Sequence, residues 1–140
     1  MADRLTATLS WHSGLRFEAL SGSGHRLIVD SPGRPGHTGP SPMELMLIGV
    51  AGCTAIDVVG ILEKMRQPLA GLDVDVTSER SPSNPKSFTS ISIAYRVRGS
   101  GLDLEKVERA VELSHSTYCS ALASLRPDCK VISSIELSQG

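Results

Sequence analysis

The sequence predicts an α+β fold that combines antiparallel sheets with one long helix. A continuous helical pattern runs from Ser41 to Arg66, and segments on both sides of it alternate apolar and polar residues with the period of a strand. A shorter helical region follows the second group of strands, between Asp103 and Pro127. Strands and helices that are grouped rather than strictly alternating are typical of the α+β class.

Six segments are expected to be strands, because their apolar side chains recur at every second position. In chain order they are Leu5–Trp11, Leu15–Leu20, His25–Asp30, Leu72–Thr77, Ile91–Arg98 and Cys129–Leu137. The first three are joined by short Gly and Ser turns and predict an antiparallel meander whose first strand is half-buried. Residues 31–39, rich in Pro and Gly, are expected to form a loop that leads into the long helix.

The long helix has clear start and stop signals. Ser41 can cap it, Pro42 suits its first position, and Glu44 completes a capping box. Pro68 prevents its continuation, and Lys64 and Arg66 complement the negative end. In the shorter helical region, Asp103 is expected to cap a helix running to about Ser114, and a short helix from Ser116 or Thr117 would place Cys119 in its first turn.

The composition of the long helix predicts a second subunit. At 1.5 Å per residue it would span about 40 Å, more than the roughly 30 Å diameter of a small domain. Its apolar residues surround it almost completely, which indicates burial on several sides. Gly49, Gly52 and Gly60 each cost about 1 kcal/mol relative to alanine in a helix, so a backbone or a substrate is expected to approach closely there.

The overall charge excludes some classes of partner. The chain has 140 residues with 14 basic and 15 acidic side chains, which gives no electrostatic basis for binding nucleic acid or a membrane surface. No signal peptide is recognisable, and no uninterrupted apolar run reaches the roughly 18 residues of a membrane span. We therefore expect a cytoplasmic protein whose three cysteines are thiols at rest.

Cysteine chemistry is the main functional signal. A thiolate is the reactive form of cysteine; helix N-termini and nearby cations favour it, and apolar burial opposes it. Cys119 at a helix start is therefore expected to ionise easily, whereas Cys53 inside an apolar helix needs a cation. The candidates for that cation are Arg16, Arg26, Arg34 and His115. Cys129 is interpreted as a packing residue on the last strand.

Other chemistry has weak support. The four histidines show no close ligand spacing and the cysteines form no Cys-x-x-Cys pair, so neither a metal site nor a cofactor is predicted. Asp57 is a charge in an apolar run, one helical turn after Cys53, and needs a partner. We expect Asp57 to form a structural ion pair with an arginine, in preference to a catalytic role for Asp57.

Two motifs resemble a known family. Ser41-Pro42-Met43-Glu44-Leu45 followed by Gly52-Cys53 in a long helix, and Leu113-Ser114 to Tyr118-Cys119 before a closing strand, are similar to the OsmC/Ohr proteins: osmotically inducible protein C and the organic hydroperoxide resistance proteins. The resemblance covers most of the chain. It implies a single domain over residues 1–140, an OsmC-like fold with the long helix at its centre, and an intertwined homodimer with two cysteines per site at the subunit interface.

The resemblance also implies a reaction. Cys53 would attack the O–O bond of an organic hydroperoxide and become a sulfenic acid, and Cys119 would resolve it as a disulfide. A dithiol, in related proteins often a lipoylated protein, would restore both thiols. The family's catalytic glutamate follows the proline at the helix start, a place taken here by Met43, so Glu44 is one residue later. Arg16 is the candidate for the family's cysteine-activating arginine.

A second hypothesis from another class accompanies the first. Glu44 is shifted by one residue, and Arg16 does not align cleanly with the family's arginine. Both features fit a dimeric protein of the same fold without efficient turnover, which binds a small ligand or senses thiol oxidation. A peroxidase requires that Cys53 and Cys119 lie within disulfide reach, about 4.4–6.8 Å between Cα atoms. The distance between the two cysteines therefore separates the hypotheses.

Overall fold

The computed structural model of the protein describes residues 3–140 and has an α+β architecture. The strands are β1 (Ala7–Ser13), β2 (Arg16–Ser21), β3 (Arg26–Val29), β4 (Gly71–Arg80), β5 (Phe88–Arg98) and β6 (Lys130–Ser138). The helices are α1 (Pro42–Lys64), α2 (Leu104–Leu113) and α3 (Ser120–Ala123), with a π-helical turn over Ser114–Tyr118. The chain divides into two compact units, one ending at Met46 and one spanning Leu47–Gly140.

The N-terminal unit contains the predicted meander. β1 pairs with β2 and β2 with β3, both antiparallel, with Phe17 of β2 opposite Trp11 and Val29. The expectation that β1 is half-buried is wrong for the described chain, because every residue of β1 is exposed. Trp11 keeps 65% of its surface accessible, and Leu9 keeps 54%. The apolar side chains that alternate along β1 are therefore not covered by other residues of this unit.

The second unit contains a mixed sheet. β4 pairs with β5 antiparallel, but β6 pairs with β5 in parallel, so the expectation of purely antiparallel sheets is wrong for this pair. Parallel neighbours need a long crossover connection, and the segment from α2 to α3 supplies it. The alternation predicted for β5 is confirmed, since Ile91, Ile93, Tyr95 and Val97 are all buried and provide much of the core.

Both ends of α1 follow the sequence signals. At the start, the Ser41 hydroxyl accepts a hydrogen bond from the Glu44 backbone N–H at 3.2 Å, and the Glu44 carboxylate accepts one from the Ser41 N–H at 2.9 Å. At the end, Arg66 adopts a left-handed conformation with φ of 58°. The backbone N–H groups of Arg66 and Gln67 then donate to the carbonyls of Glu63 and Leu62, the two bonds of a Schellman motif.

Only one stripe of α1 is buried among the described residues. Val50, Thr54, Val58 and Leu62 recur every fourth position and are covered. Other apolar residues of the helix remain accessible, at 74% for Ile56, 57% for Ile48, 50% for Met46 and 40% for Val59. A Cβ atom added at Gly49, Gly52 or Gly60 would meet no atom within 4 Å, so within residues 3–140 the close approach expected at these glycines does not occur.

By length and composition alone, α1 would also qualify as a membrane span. An 18-residue window of it has a mean hydropathy of 2.2, with 22% of that window buried. The core helices of water-soluble proteins meet the same criterion, and α1 carries a covered stripe as such helices do. Its length and hydropathy therefore do not by themselves indicate a membrane.

Leu62→Ala tests the buried stripe. Because Leu62 has no accessible surface, its truncation leaves a cavity and is expected to lower the free energy of unfolding by about 2–5 kcal/mol. Urea unfolding followed by circular dichroism measures the change. Glu108→Ala on the exposed side of α2 is the control and should change stability by no more than about 0.5 kcal/mol. Equal effects in the two variants would contradict the packing described for α1.

Candidate functional site

The two cysteines of the sequence motifs lie together in the second unit. Cys53 is on α1 and Cys119 is just before α3, sixty-six positions later in the chain. Their sulfur atoms and a carboxylate oxygen of Asp57 are all within 4.8 Å of one another. A disulfide requires about 2.05 Å between the sulfurs, so the two thiols are close to each other but not bonded.

The π-helical turn decides where Cys119 lies. Asp103 caps α2 as predicted, accepting a hydrogen bond from the Glu105 backbone N–H at 3.0 Å. After Leu113 the chain widens into the π turn, which ends when the Cys119 N–H donates to the Ser114 carbonyl at 2.8 Å. Cys119 is then the N-cap of α3, where its sulfur accepts from the Leu122 N–H at 3.4 Å. The predicted helix from Ser116 or Thr117 is thus replaced by this turn and a four-residue helix.

Burial dominates the electrostatics of Cys119. Only 5% of the residue is accessible, and this desolvation raises the pKa of its thiol to about 11, although the Leu122 N–H opposes the shift. The neighbouring Cys53 thiol raises the pKa further. The expectation that Cys119 ionises easily is therefore wrong, since the N-cap hydrogen bond is weaker than the loss of solvation. At neutral pH this cysteine is a protonated thiol.

Asp57 has a different partner from the one expected. The Ser114 hydroxyl donates a hydrogen bond to the Asp57 carboxylate at 2.9 Å, and Ser114 has no accessible surface. Within residues 47–140, no lysine or arginine forms an ion pair with this carboxylate. The predicted arginine partner is thus absent from this unit, and Asp57 instead faces the two thiols.

A buried phenol and an imidazole border the cluster. The Tyr95 hydroxyl is 2.7 Å from Nε2 of His115, and Tyr95 is fully covered on the inner face of β5. Burial raises the pKa of Tyr95 to about 12, with the nearby Thr54 hydroxyl opposing the shift and Cys119 and Asp57 adding to it. Burial lowers the pKa of His115, so His115 is neutral near pH 7 and cannot be the cation considered for Cys53.

The other two predicted site residues belong to the N-terminal unit. Glu44 forms the capping box, and its hydrogen bonds with Ser41 hold the pKa of its carboxyl below the usual value. Arg16 is within 3.4 Å of the Thr38 hydroxyl, and its Nε is buried without a hydrogen-bond partner among the described residues. Asp30 accepts from the backbone N–H groups of Thr38 and Ser31, which lower its pKa, and the Arg16 charge lowers it further.

Arg26, Arg34 and Cys129 are the remaining residues that the sequence analysis considered. Arg26 pairs with Glu18 across two strands of the meander, and Arg34 lies in the loop before α1. Cys129 precedes β6 and is half-buried, and burial raises the pKa of its thiol. Cys129 therefore lies just outside the last strand, within which the sequence had placed it, and its packing role stays a prediction.

Two cavities of the second unit adjoin the cluster. One of about 390 Å³ is lined by Cys119 together with His115, Ser116, Thr117, Leu122, Ala123 and Val131. The other, of about 540 Å³, is a mostly apolar groove lined by Ile56, Asp57, Gly60, Ile61, Lys64, Met65, Leu113 and Tyr118. Cys119 thus adjoins a cavity of mixed polarity, and Asp57 adjoins a mostly apolar groove.

Sequence reasoning missed three contributors to the site. Tyr95 occupies an apolar position in the alternation of β5, and Thr54 lies within the apolar helix α1. Ser114 belongs to the second cysteine motif, where the sequence gives it no role. Each is a polar residue at a position whose periodicity predicts burial, and buried polar groups require partners. That signal was available in the sequence, although it does not say which groups meet.

Comparisons with known proteins agree on the fold. A sequence model of the family described as OsmC-like protein matches residues 34–134. The chain is 41% identical over 133 residues to Protein YhfA of Escherichia coli strain K12, covering 95% of this chain and 98% of that protein. It is similar to the crystal structure of a hypothetical protein from Aquifex aeolicus, with 27% identity, a TM-score of 0.89 and 99% of each chain covered.

A structure with a named role is also similar in fold. The organic hydroperoxide resistance protein OhrB of Bacillus subtilis superimposes with a TM-score of 0.67, covering 96% of this chain and 98% of that one, at 18% identity. At this identity the likeness concerns the fold. The α+β architecture with its long helix and the resemblance noted in the two cysteine motifs are therefore confirmed.

The raised pKa of Cys119 predicts its reactivity. In a Cys53→Ser, Cys129→Ser variant, the remaining thiol should react slowly with iodoacetamide at pH 7, because the thiolate forms only as the pH approaches about 11. The rate measured from pH 7 to 11.5, compared with that of the urea-unfolded variant, checks this. Simple steric shielding would slow the reaction equally at every pH. A rate that levels off below the ordinary value of 9.0 would contradict the assignment.

Proposed function

This chain belongs to the OsmC-like protein family, and we propose that it is a thiol-dependent peroxidase that reduces organic hydroperoxides in defence against oxidative stress. The observation that carries the proposal is the placement of the Cys53 and Cys119 sulfurs within 4.8 Å of each other. Related structures named for organic hydroperoxide resistance support it through their shared fold. A two-cysteine cycle requires two thiols near enough to form a disulfide, and this proximity supports one.

Cys53 is the proposed nucleophile. It is more accessible than Cys119, and its thiolate attacks one oxygen of the peroxide O–O bond. The sulfur gains that oxygen and becomes a sulfenic acid, while the O–O bond breaks and the other oxygen leaves as an alkoxide that takes a proton to form an alcohol. The peroxide is reduced by two electrons and Cys53 is oxidised by two.

Cys119 then resolves the sulfenic acid. Its sulfur attacks the Cys53 sulfur, the S–O bond breaks, and hydroxide leaves with the Cys119 proton as water. Because the Cys119 thiol is protonated at neutral pH, this step needs a proton acceptor, and the Asp57 carboxylate lies within 4.8 Å of the sulfur. A dithiol reductant, such as a lipoyl group on a partner protein, reduces the disulfide through a mixed disulfide and becomes a disulfide itself.

The shape of the site favours an apolar peroxide. The 540 Å³ groove beside Asp57 is lined mainly by aliphatic and aromatic side chains, with Ile56, Ile61 and Leu113 among them. A groove of that size accommodates the organic part of a small alkyl or aryl hydroperoxide. Hydrogen peroxide would gain nothing from these contacts.

Arg16 and Glu44 are proposed to assist Cys53. A guanidinium favours the thiolate form of a cysteine, and His115, whose lowered pKa leaves it neutral near pH 7, does not supply that charge. Arg16 has an Nε donor without a partner in the described chain, which leaves one hydrogen bond available for such a role. Glu44 is engaged in the capping box, so its contribution is expected to be smaller than that of Arg16.

We propose that the active form is an intertwined homodimer in the cytoplasm, with the whole chain as one domain. The exposed apolar residues of α1 and β1 need cover, and a second copy of the chain would provide it. Free thiols at the site fit a reducing compartment. The groove next to α1 would then be closed by the second subunit, which would place the site at the interface.

A second function is favoured by particular observations. The Cys119 thiol has a pKa of about 11, and Glu44 occupies a structural capping box. A protein with this fold that binds a small ligand or senses oxidation slowly, without efficient turnover, would also have these features. The rate of peroxide consumption distinguishes the two functions.

Cysteine variants test the peroxidase. Cys53→Ser should abolish consumption of cumene hydroperoxide with a dithiol reductant, and Cys119→Ser should reduce it by at least tenfold because the sulfenic acid is no longer resolved. Cys129→Ser is the matched control and should retain the wild-type rate. Peroxide consumption is followed by a ferrous-iron dye assay, with circular dichroism to confirm folding. Retained activity in Cys53→Ser, or no activity in the wild type, would contradict the proposal.

The dimer is tested at Ile56. Light scattering should give a mass twice that of the chain for the wild type at micromolar concentration, because the apolar side of α1 needs a partner. Ile56→Asp places a charge on that surface and should give the monomer mass, while Lys106→Asp, on exposed α2, should leave the dimer unchanged. A wild-type monomer would refute the dimer.

A further inference from the structure

We propose that Cys53, Asp57 and Cys119 form a binding site for a thiophilic divalent cation, with zinc as the representative ion. Their two sulfur atoms and one carboxylate oxygen lie within 4.8 Å of one another, all in the second unit. This property goes beyond the proposed peroxidase activity, since it requires no peroxide and no turnover. The spacing in the chain could not reveal it, because the two cysteines are far apart in sequence.

The geometry is close to that of a zinc site. Zinc–sulfur bonds of about 2.3 Å at tetrahedral angles separate two thiolate ligands by about 3.8 Å, and a carboxylate oxygen is slightly nearer. From the 4.8 Å limit, the two sulfurs therefore have to close by at most about 1 Å, and each sulfur and the oxygen by at most about 1.3 Å. Cys53 and Asp57 are four residues apart on α1, which places both side chains on the same face of one helical turn.

The surroundings hold the ligands in place. The buried Ser114 hydroxyl donates to the Asp57 carboxylate at 2.9 Å, as the outer-shell partners of metal ligands usually do. Cys119 is fixed as the N-cap of α3 by the Leu122 N–H. Two of the three donors are therefore oriented by hydrogen bonds before any ion arrives, which reduces the cost of assembling the site.

Charge and ligand type select the class of ion. Two thiolates and a carboxylate carry three negative charges, and no lysine or arginine of residues 47–140 pairs with Asp57 to offset them. A soft sulfur-rich set favours zinc, cobalt or cadmium over magnesium and calcium, which prefer oxygen ligands. Cys119 also lines the 390 Å³ cavity, so a water or the thiol of a small molecule can complete a fourth position.

Metal binding and peroxide reduction would compete for the same sulfurs. A bound zinc ion occupies the electron pair with which Cys53 would attack a peroxide. An equivalent of zinc should therefore slow sulfenic acid formation and protect the two thiols. Release of the ion would accompany oxidation to the disulfide, because a disulfide is a poor ligand.

Cobalt titration of the reduced, metal-free full-length protein tests the site. One equivalent of Co²⁺ per chain should produce the thiolate-to-cobalt charge-transfer absorption, and Zn²⁺ should displace it. Cys53→Ser and Cys119→Ser should each lose the two-thiolate spectrum, and Asp57→Asn should weaken zinc binding by about tenfold or more. Cys129→Ser is the control and should match the wild type. Circular dichroism verifies that each variant is folded.

Three results would overturn the proposal. They are the absence of charge-transfer absorption up to millimolar Co²⁺, the same spectrum in Cys53→Ser or Cys119→Ser, and unchanged zinc affinity in Asp57→Asn. Alkylation provides an independent measurement: zinc should protect Cys53 and Cys119 from iodoacetamide and leave Cys129 as reactive as before. Peroxide turnover without metal binding would refute this inference alone, whereas metal binding without turnover would refute the peroxidase alone.

Discussion

The hydrogen bond from Ser114 to Asp57 is the interaction on which the candidate site depends. A carboxylate in the middle of an apolar helix must find a partner, and the partner is a serine with no accessible surface, 2.9 Å away. Cys53 precedes Asp57 by one helical turn, and Cys119 ends the π turn that Ser114 begins. Joining Asp57 to Ser114 therefore also brings the two cysteines together.

The second constraint is the composition of α1. Its covered stripe is one residue wide, whereas its apolar residues continue around the helix. A helix of this kind is stable in water only when its other faces are covered, and the glycines beside the cysteine are open to whatever covers them. The proposed dimer follows from this requirement. Within the described chain, Cys53 accordingly remains partly accessible although it lies in an apolar helix.

Much of the fold could be predicted from local patterns. The ends of α1, the cap at Asp103 and the buried alternation along β5 each depend on neighbouring residues, and all three are confirmed. The parallel pairing of β6, the π turn and the exposure of β1 depend on contacts between distant segments, and here the predictions were wrong. For the candidate site, motif resemblance singled out Cys53 and Cys119, whose sulfurs the structure places near each other. The partner of Asp57 and the raised pKa of Cys119 required three-dimensional packing, because burial outweighs the cap that the sequence revealed.

The central claim is that Cys53 and Cys119 act as one redox pair. Its most direct test is to treat the fully reduced protein with one equivalent of cumene hydroperoxide for a few seconds, quench it with an alkylating agent and map the cysteines by mass spectrometry. The account predicts a disulfide between Cys53 and Cys119, with Cys129 alkylated. Unchanged thiols, or a disulfide that includes Cys129, would contradict it.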